Sequence, residues 1–319
     1  MIEDMIEKMI NDFLIFAIKN PIYFLCSAVY YVFASLALGG TKRAYLIAFI
    51  GYFVSLLVVF SPLGEKLLRV LEKVRKVETN EEKKLLIPVF HEVCDEAVRR
   101  KVPIERLEIC VIDKMTVNAC ALGKHTIAVT KGAIELFTPD ELKALIAHEI
   151  AHIVYLDTTA KLYAMIGNGF VTVYFLVWRI LLFVIDTIRE IESESKGLAF
   201  VVRLVRLFFE LNIFVSMFVM QFAMSIGSRK NELRADRFVY KLGYGEEMVK
   251  ALYILEKIKL GDNSTTIQRM TASHPRISAR IEQLETLIEN EHVPYAPAPV
   301  PYDNRAYDGR AYEDRAYDK

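Results

Sequence analysis

Apolar residues along this chain gather into four long runs, Pro21–Leu38, Ala44–Ser61, Leu162–Ile185 and Leu207–Ile226, separated by segments in which charge is frequent. Each run is near the ~20 residues that a membrane-spanning helix requires. Only Gly39-Gly40-Thr41-Lys42-Arg43 lies between the first two, a tight polar turn, so residues 1–62 are expected to form a transmembrane hairpin. Glu3, Asp4, Glu7, Lys8 and Asp12 precede it, the wrong flank for a cleavable signal peptide, and the hairpin is expected to be retained. The later pair, within 161–226, is a weaker expectation because Arg179 and Glu210 interrupt it. Both sit near a run's end, where a long side chain can snorkel; a hairpin packed on an enzyme or a substrate-facing groove is the other reading.

The segments between the runs have the composition of a folded polar domain, in two parts, 63–160 and 227–293. A charged helical stretch is expected over Glu65–Lys84 and a second helix over Leu86–Arg100. Leu107–Ile112, Thr116–Leu122 and Thr126–Thr130 are rich in β-branched residues, and Gly123-Lys124-His125 separates the last two, predicting a small sheet with a hairpin. Thr138-Pro139-Asp140-Glu141 combines an N-cap threonine, proline at the first helical position and glutamate three residues after the cap, so a helix should start there. From 294 onward the near-repeats of Arg-Ala-Tyr lack any hydrophobic stripe and predict a disordered tail.

Composition agrees with a membrane class: 53% of the 319 residues are hydrophobic and mean hydropathy is +0.26. Forty basic residues balance forty acidic ones, so nothing global favours nucleic acid as a partner. An even number of crossings returns the chain to one side. Basic residues near the proposed boundaries number eleven on the side of the folded domain and six on the other, which predicts that the folded domain is cytoplasmic; the expected location is the plasma membrane of a prokaryote. Cys26, Cys94, Cys110 and Cys120 form no CxxC pair and read as packing or unpaired thiols.

The chemistry is concentrated in His148-Glu149-Ile150-Ala151-His152. Residues four apart share a helical face, so both imidazoles can reach one zinc ion at about 2.0–2.1 Å, with Glu149 beside them as general base. Leu142, Leu145, Ile146, Ile150 and Ile153 give this helix the packing that a rigid pair of ligands needs. Catalytic zinc takes a third protein ligand. No histidine follows at the usual short spacing, since the chain continues Ile153-Val154-Tyr155-Leu156-Asp157. Glu232 is the better candidate. With Ala235, Asp236 and Val239 it forms one stripe, and two buried carboxylates call for a metal or a partner. Asp236 would orient a ligand histidine through its second ring nitrogen. On an isolated helix the same two residues would read as a solvated pair beside Arg229 and Arg234. Farther on, His274 could hydrogen-bond an oxyanion, and Arg280 could fix a carboxylate or a substrate carbonyl.

Taken together, the hairpin, Asn118-Ala119 on a strand, HEXXH, two further apolar segments, Ser228-Arg229-Lys230-Asn231-Glu232-Leu233-Arg234-Ala235-Asp236 and His274-Pro275 with Arg280 resemble the HtpX family of membrane zinc metalloproteases, which is related to the CAAX prenyl proteases. The resemblance implies an α+β membrane protein: a mostly helical zincin-type (gluzincin) domain with a small β-sheet, attached to transmembrane helices. It implies one zinc ion held by His148, His152 and Glu232, base catalysis by Glu149, and a substrate-binding strand at Asn118 and Ala119. The implied partners are the bilayer and unfolded or damaged membrane proteins. Two alternatives stand beside it, a CAAX-type prenyl-protein peptidase and a zinc-stabilised membrane scaffold without turnover. The Arg-Ala-Tyr tail lies outside the resemblance.

Overall fold

A computed structural model of the chain describes residues 2–19, 41–163, 229–260 and 277–290, with isolated positions between 21 and 35 and between 176 and 214. The chain divides into two compact units. One includes helices α1 (Ile2–Lys19) and α2 (Lys42–Phe60). Phe16 is fully buried there, its ring 5.8 Å from that of Phe60 and 5.0 Å from that of Tyr163. The hydroxyls of Tyr52 and Tyr163 hydrogen-bond to each other. The first apolar run falls almost wholly outside the described residues. Of the later two, isolated positions such as Leu181, Phe183, Leu207 and Phe214 are helical and exposed. Among the described residues no single helix is long and apolar enough to cross a membrane; Tyr45–Phe60 and Pro62–Leu71, bent by 79°, pass that test together.

The second unit runs through Glu65–Thr158 and takes in 229–260 and 277–290. Helix α3 (Pro62–Leu71) leads into it and ends sooner than expected from the charged pattern. Lys73 adopts the left-handed region (φ 55°), and Val74–Lys76 then form strand β1, antiparallel to β2 (Glu108–Ile112). Arg75 anchors this turn by pairing with Glu82 at 2.6 Å and Asp113 at 2.7 Å. Helix α4 (Asn80–Arg99) starts from a complete capping box of Thr79 and Glu82, which a continuous helix over Glu65–Lys84 would have forbidden.

Strands β3 (Ala119–Leu122) and β4 (Thr126–Thr130) make the expected hairpin, and β4 also pairs in parallel with β2, giving the order β1-β2-β4-β3. Every residue of β4 is buried, as a central strand requires, while β3 forms a sheet edge. Gly123 is needed at the turn: its φ is +67°, and a Cβ there would lie 2.5 Å from a carboxylate oxygen of Glu65. That carboxylate accepts from the amides of Lys124 and His125 and from the Thr126 hydroxyl.

After the short α5 (Lys131–Leu136) comes α6 (Pro139–Val154), which carries HEXXH and starts where the sequence places it, with Thr138 and Glu141 satisfying each other's backbone amides. Ala144 through Ile153 are all buried, so this helix is covered on every side, against α4, β3 and α9 (Gly245–Leu260) among others. Helices α7 (Asp157–Leu162), α8 (229–242) and α10 (Ile277–Glu289) complete the described elements. One continuous core joins Leu86 and Val93 of α4, Ile127 and Val129 of β4, Ile146 and Ile150 of α6, Val239, Leu252 and Leu284. The fold is thus mostly helical with one small mixed sheet. Cys94 and Cys110 are buried, and burial pushes their thiols up to about 12 and about 11, which makes them inert packing residues.

Candidate metal centre

Helix α6 sets His148 and His152 one turn apart on the same face, and α8 brings Glu232 to them. Nε2 of His148 lies 3.2 Å from Nε2 of His152 and 3.2 Å from Oε2 of Glu232; Nε2 of His152 lies 3.5 Å from Oε1 of Glu232. A tetrahedral centre with bonds of about 2.0–2.1 Å sets its donor atoms roughly 3.3–3.4 Å apart, so the triangle has the size that zinc demands.

The other ring nitrogens are engaged by carboxylates. Nδ1 of His148 is 3.1 Å from Oδ1 of Asp236, and Nδ1 of His152 is 2.9 Å from Oδ2 of Asp157. A carboxylate only accepts, so each Nδ1 carries a proton, and in the neutral ring that leaves each Nε2 to present its lone pair to the common centre. Arg280, itself buried, donates through Nε and Nη2 to both oxygens of Asp236 at 2.7 Å and lies 3.1 Å from Glu232 through Nη1. Arg234 donates to Asp157 at 2.8 Å and stacks over the Tyr155 ring at 4.2 Å.

Charge supports the same assignment. Four carboxylates, Glu149, Asp157, Glu232 and Asp236, are buried here against the guanidiniums of Arg280 and Arg234, an excess of two negative charges that one divalent cation would neutralise. Protons answer the same excess. Burial alone lowers the proton affinity of His152, but its hydrogen bonds to Asp157 and Glu232 outweigh burial and raise its pKa to about 9. His148 also moves up, its bonds to Asp236 and Glu232 overcoming burial and the charge of Arg280. Asp236 moves down despite burial, because Arg280 and His148 both donate to it.

With this geometry in place, comparison with known proteins becomes informative. Residues 82–288 match the model of "Peptidase family M48", well over half of the chain. The chain belongs to peptidase family M48. It is therefore a zinc metallopeptidase, and the donor set just described fits the metal that M48 enzymes use. Among relatives, the protease HtpX of Pseudomonas fluorescens is 31% identical over 209 residues, which cover 59% of this chain and 68% of that protein. A protease HtpX homolog of Methanocaldococcus jannaschii is 27% identical over 223 residues, covering 62% of this chain and 74% of the other. The crystal structure of S. mikatae Ste24p aligns with a TM-score of 0.49 and 21% identity, over 89% of this chain and 66% of that one.

Glu149 of this M48 peptidase reaches the sheet edge, where its Oε2 accepts the amide of Ala121 at 2.8 Å. Pairing of β3 with β4 explains why that amide is free to donate. Asn118 is bonded to Thr130 on β4, so alternation turns the backbone groups of Ala119 and Ala121 to the outer edge. Asn118 is exposed and Ala119 buried at the start of this edge. Arg280, read from sequence as a residue that fixes a carboxylate or a substrate carbonyl, is placed on the enzyme's own Asp236 and Glu232. His274 lies outside the described residues.

The sequence reading takes Tyr155 and Asp157 only as residues after the HEXXH helix that could help the site, and it gives Arg234 no place there. The signal was faint: Tyr155 caps α6, Leu156 takes a left-handed φ of 62°, and this sharp reversal swings Asp157 back under His152. A leucine in that conformation costs about 1–2 kcal/mol and gives no warning in composition.

Proposed function

We propose that this M48 peptidase is a membrane-attached zinc endopeptidase that cleaves unfolded or damaged membrane proteins from the cytoplasmic side. The single observation that carries the catalytic part is the triangle of His148, His152 and Glu232 with the Glu149 carboxylate fixed on the β3 edge. The apolar runs and the names of the HtpX relatives support the membrane part. The excess of basic residues on the side of the folded domain supports the orientation.

Zinc bound at the triangle supplies a Lewis acid that polarises the scissile carbonyl and makes water more acidic. The chain's own residues do the rest. An extended substrate adds to the outer edge of β3, pairing with the backbone amide and carbonyl of Ala119 and the carbonyl of Ala121, whose own amide holds Glu149, with Asn118 at the start of that edge. Glu149, oriented by the Ala121 amide, takes the proton of the attacking water and then returns it to the leaving amine. Asp236 and Asp157 keep the two imidazoles in the tautomer that presents Nε2, and Arg280 holds Asp236 and Glu232 against the spread of their charges. His274 has the chemistry to donate to the oxyanion as the carbonyl is attacked.

The test is cleavage of an unfolded membrane-protein substrate by wild type and by Glu149→Gln, with zinc content measured on both. The proposal expects zinc to be retained and cleavage to collapse in the variant; equal rates would refute it. Running a prenylated peptide beside the non-lipidated substrate separates the quality-control reading from that of a CAAX-type peptidase, because only the former predicts preference for the unfolded chain.

A further inference from the structure

Helix α3 is amphipathic in the wrong sense for a protein surrounded by water. One face of a surface helix is normally apolar and packed inward, while charge faces solvent. Here the inward face carries charge. Glu65 accepts from the 124–126 turn, Arg69 donates to Thr126 and Glu108, and Leu68, 6% exposed, is the buried apolar residue of this face. The outward face carries Leu63, Leu67, Val70 and Leu71, exposed by 59, 41, 73 and 59%. These residues recur at i, i+4, i+7 and i+8, so they form one stripe rather than scattered exceptions.

We infer that α3 is an interfacial helix that lies on the bilayer surface, its leucine stripe in the acyl chains and its charged face bound to the catalytic unit. The inference rests on the membrane-attached reading above and adds a second kind of contact to it. Two observations select lipid as the occupant. Only Ser61 separates α3 in the chain from α2, whose exposed Leu46, Ile50, Phe53 and Leu57 form a broad apolar face. Lys66, Lys73 and Lys76 are exposed on and just beyond α3, matched in charge to anionic headgroups. Because Glu65 and Arg69 grip the β3–β4 hairpin and β2, a helix held at the surface would fix the height of the β3 edge above the membrane.

Tryptophan fluorescence of the full chain tests this directly. The chain has one tryptophan, Trp178. In a Trp178→Phe background, Leu67→Trp and Val70→Trp are reconstituted separately into phosphatidylcholine–phosphatidylglycerol vesicles whose acyl chains are brominated close to the headgroup. Phe53→Trp serves as the reference for membrane insertion and Lys84→Trp, on the exposed side of α4, as the reference for water. The expected result is that the α3 tryptophans are blue-shifted and lose about half or more of their emission to the brominated lipid, while Lys84→Trp is unaffected. If Phe53→Trp is quenched by lipid but the α3 positions are quenched by iodide, the interfacial helix is wrong and the membrane reading stands. If no position senses bromine, both fall. If the α3 positions are shielded from iodide and bromine alike, a second copy or a partner protein covers the stripe and the inference is overturned.

Discussion

Helices α6 and α3 break the same rule in opposite directions. One buries two histidines and a glutamate in the middle of the core; the other turns leucines outward and charges inward. Hydrophobic burial cannot explain either, and the local partner explains both. In α6 the buried polar atoms converge on a point that a divalent cation completes. In α3 the inward charges are met by the hairpin, and the outward leucines call for a surrounding that is not water. Residues in the wrong place for a protein surrounded by water point to a neighbour through their chemistry: donor atoms that converge on one centre ask for a cation, and a stripe of apolar side chains asks for an apolar surface.

The largest expected effect lies on the α6 side. Glu149→Gln removes the proton acceptor while preserving size, and the turnover number should fall by about 10²–10⁴-fold with zinc still bound, read by single-turnover cleavage and metal analysis. Next come the groups behind the ligands. Asp236→Ala and Asp157→Ala each free a ligand imidazole to rotate, and zinc affinity measured by competition with a chromophoric chelator should weaken by about 10–100-fold. Arg234→Ala leaves Asp157 in place without its charge partner, so it should weaken zinc less than Asp157→Ala; an equal loss would show that Arg234 supports the fold of α8 rather than Asp157.

Smaller effects should appear away from both helices. Arg75 holds the Glu82 carboxyl down to about 2, with burial opposing and the Thr79 and Glu78 amides assisting. A depressed acid contributes its stability above its ordinary pKa and loses it as pH falls through the folded value. Glu82→Gln should therefore unfold at a lower temperature than wild type near neutrality, and the gap should close between about pH 4.5 and pH 2. Smallest of all, Leu156→Gly should shift stability by no more than about 1 kcal/mol, because relief of the left-handed strain offsets the added chain entropy.

The sequence was most readable where the cause is local. The start of α6 depends on four consecutive residues, Thr138 to Glu141, and the hairpin on two β-branched runs around Gly123, so both were legible. Glu232 was legible for another reason, a pair of carboxylates on a stripe otherwise made of Ala235 and Val239. Strand β1 was not, because it exists only through pairing with β2, and a run of lysines and glutamates around it imitates a helix. The pairing of Asp157 with His152 was hidden by the left-handed turn at Leu156, and the partners of Arg280 by the distance in sequence between α10, α8 and α6. Long-range pairing and single backbone reversals leave no periodicity to read.

X-ray absorption at the zinc edge of purified wild type and Glu232→Ala measures whether His148, His152 and Glu232 together hold one zinc ion. Wild type should show one zinc per chain with two imidazoles and oxygen donors and no sulfur, and the variant should lose tightly bound zinc. A sulfur ligand, or a variant that binds zinc as tightly and with the same spectrum as wild type, would show that these three residues are not the ligands.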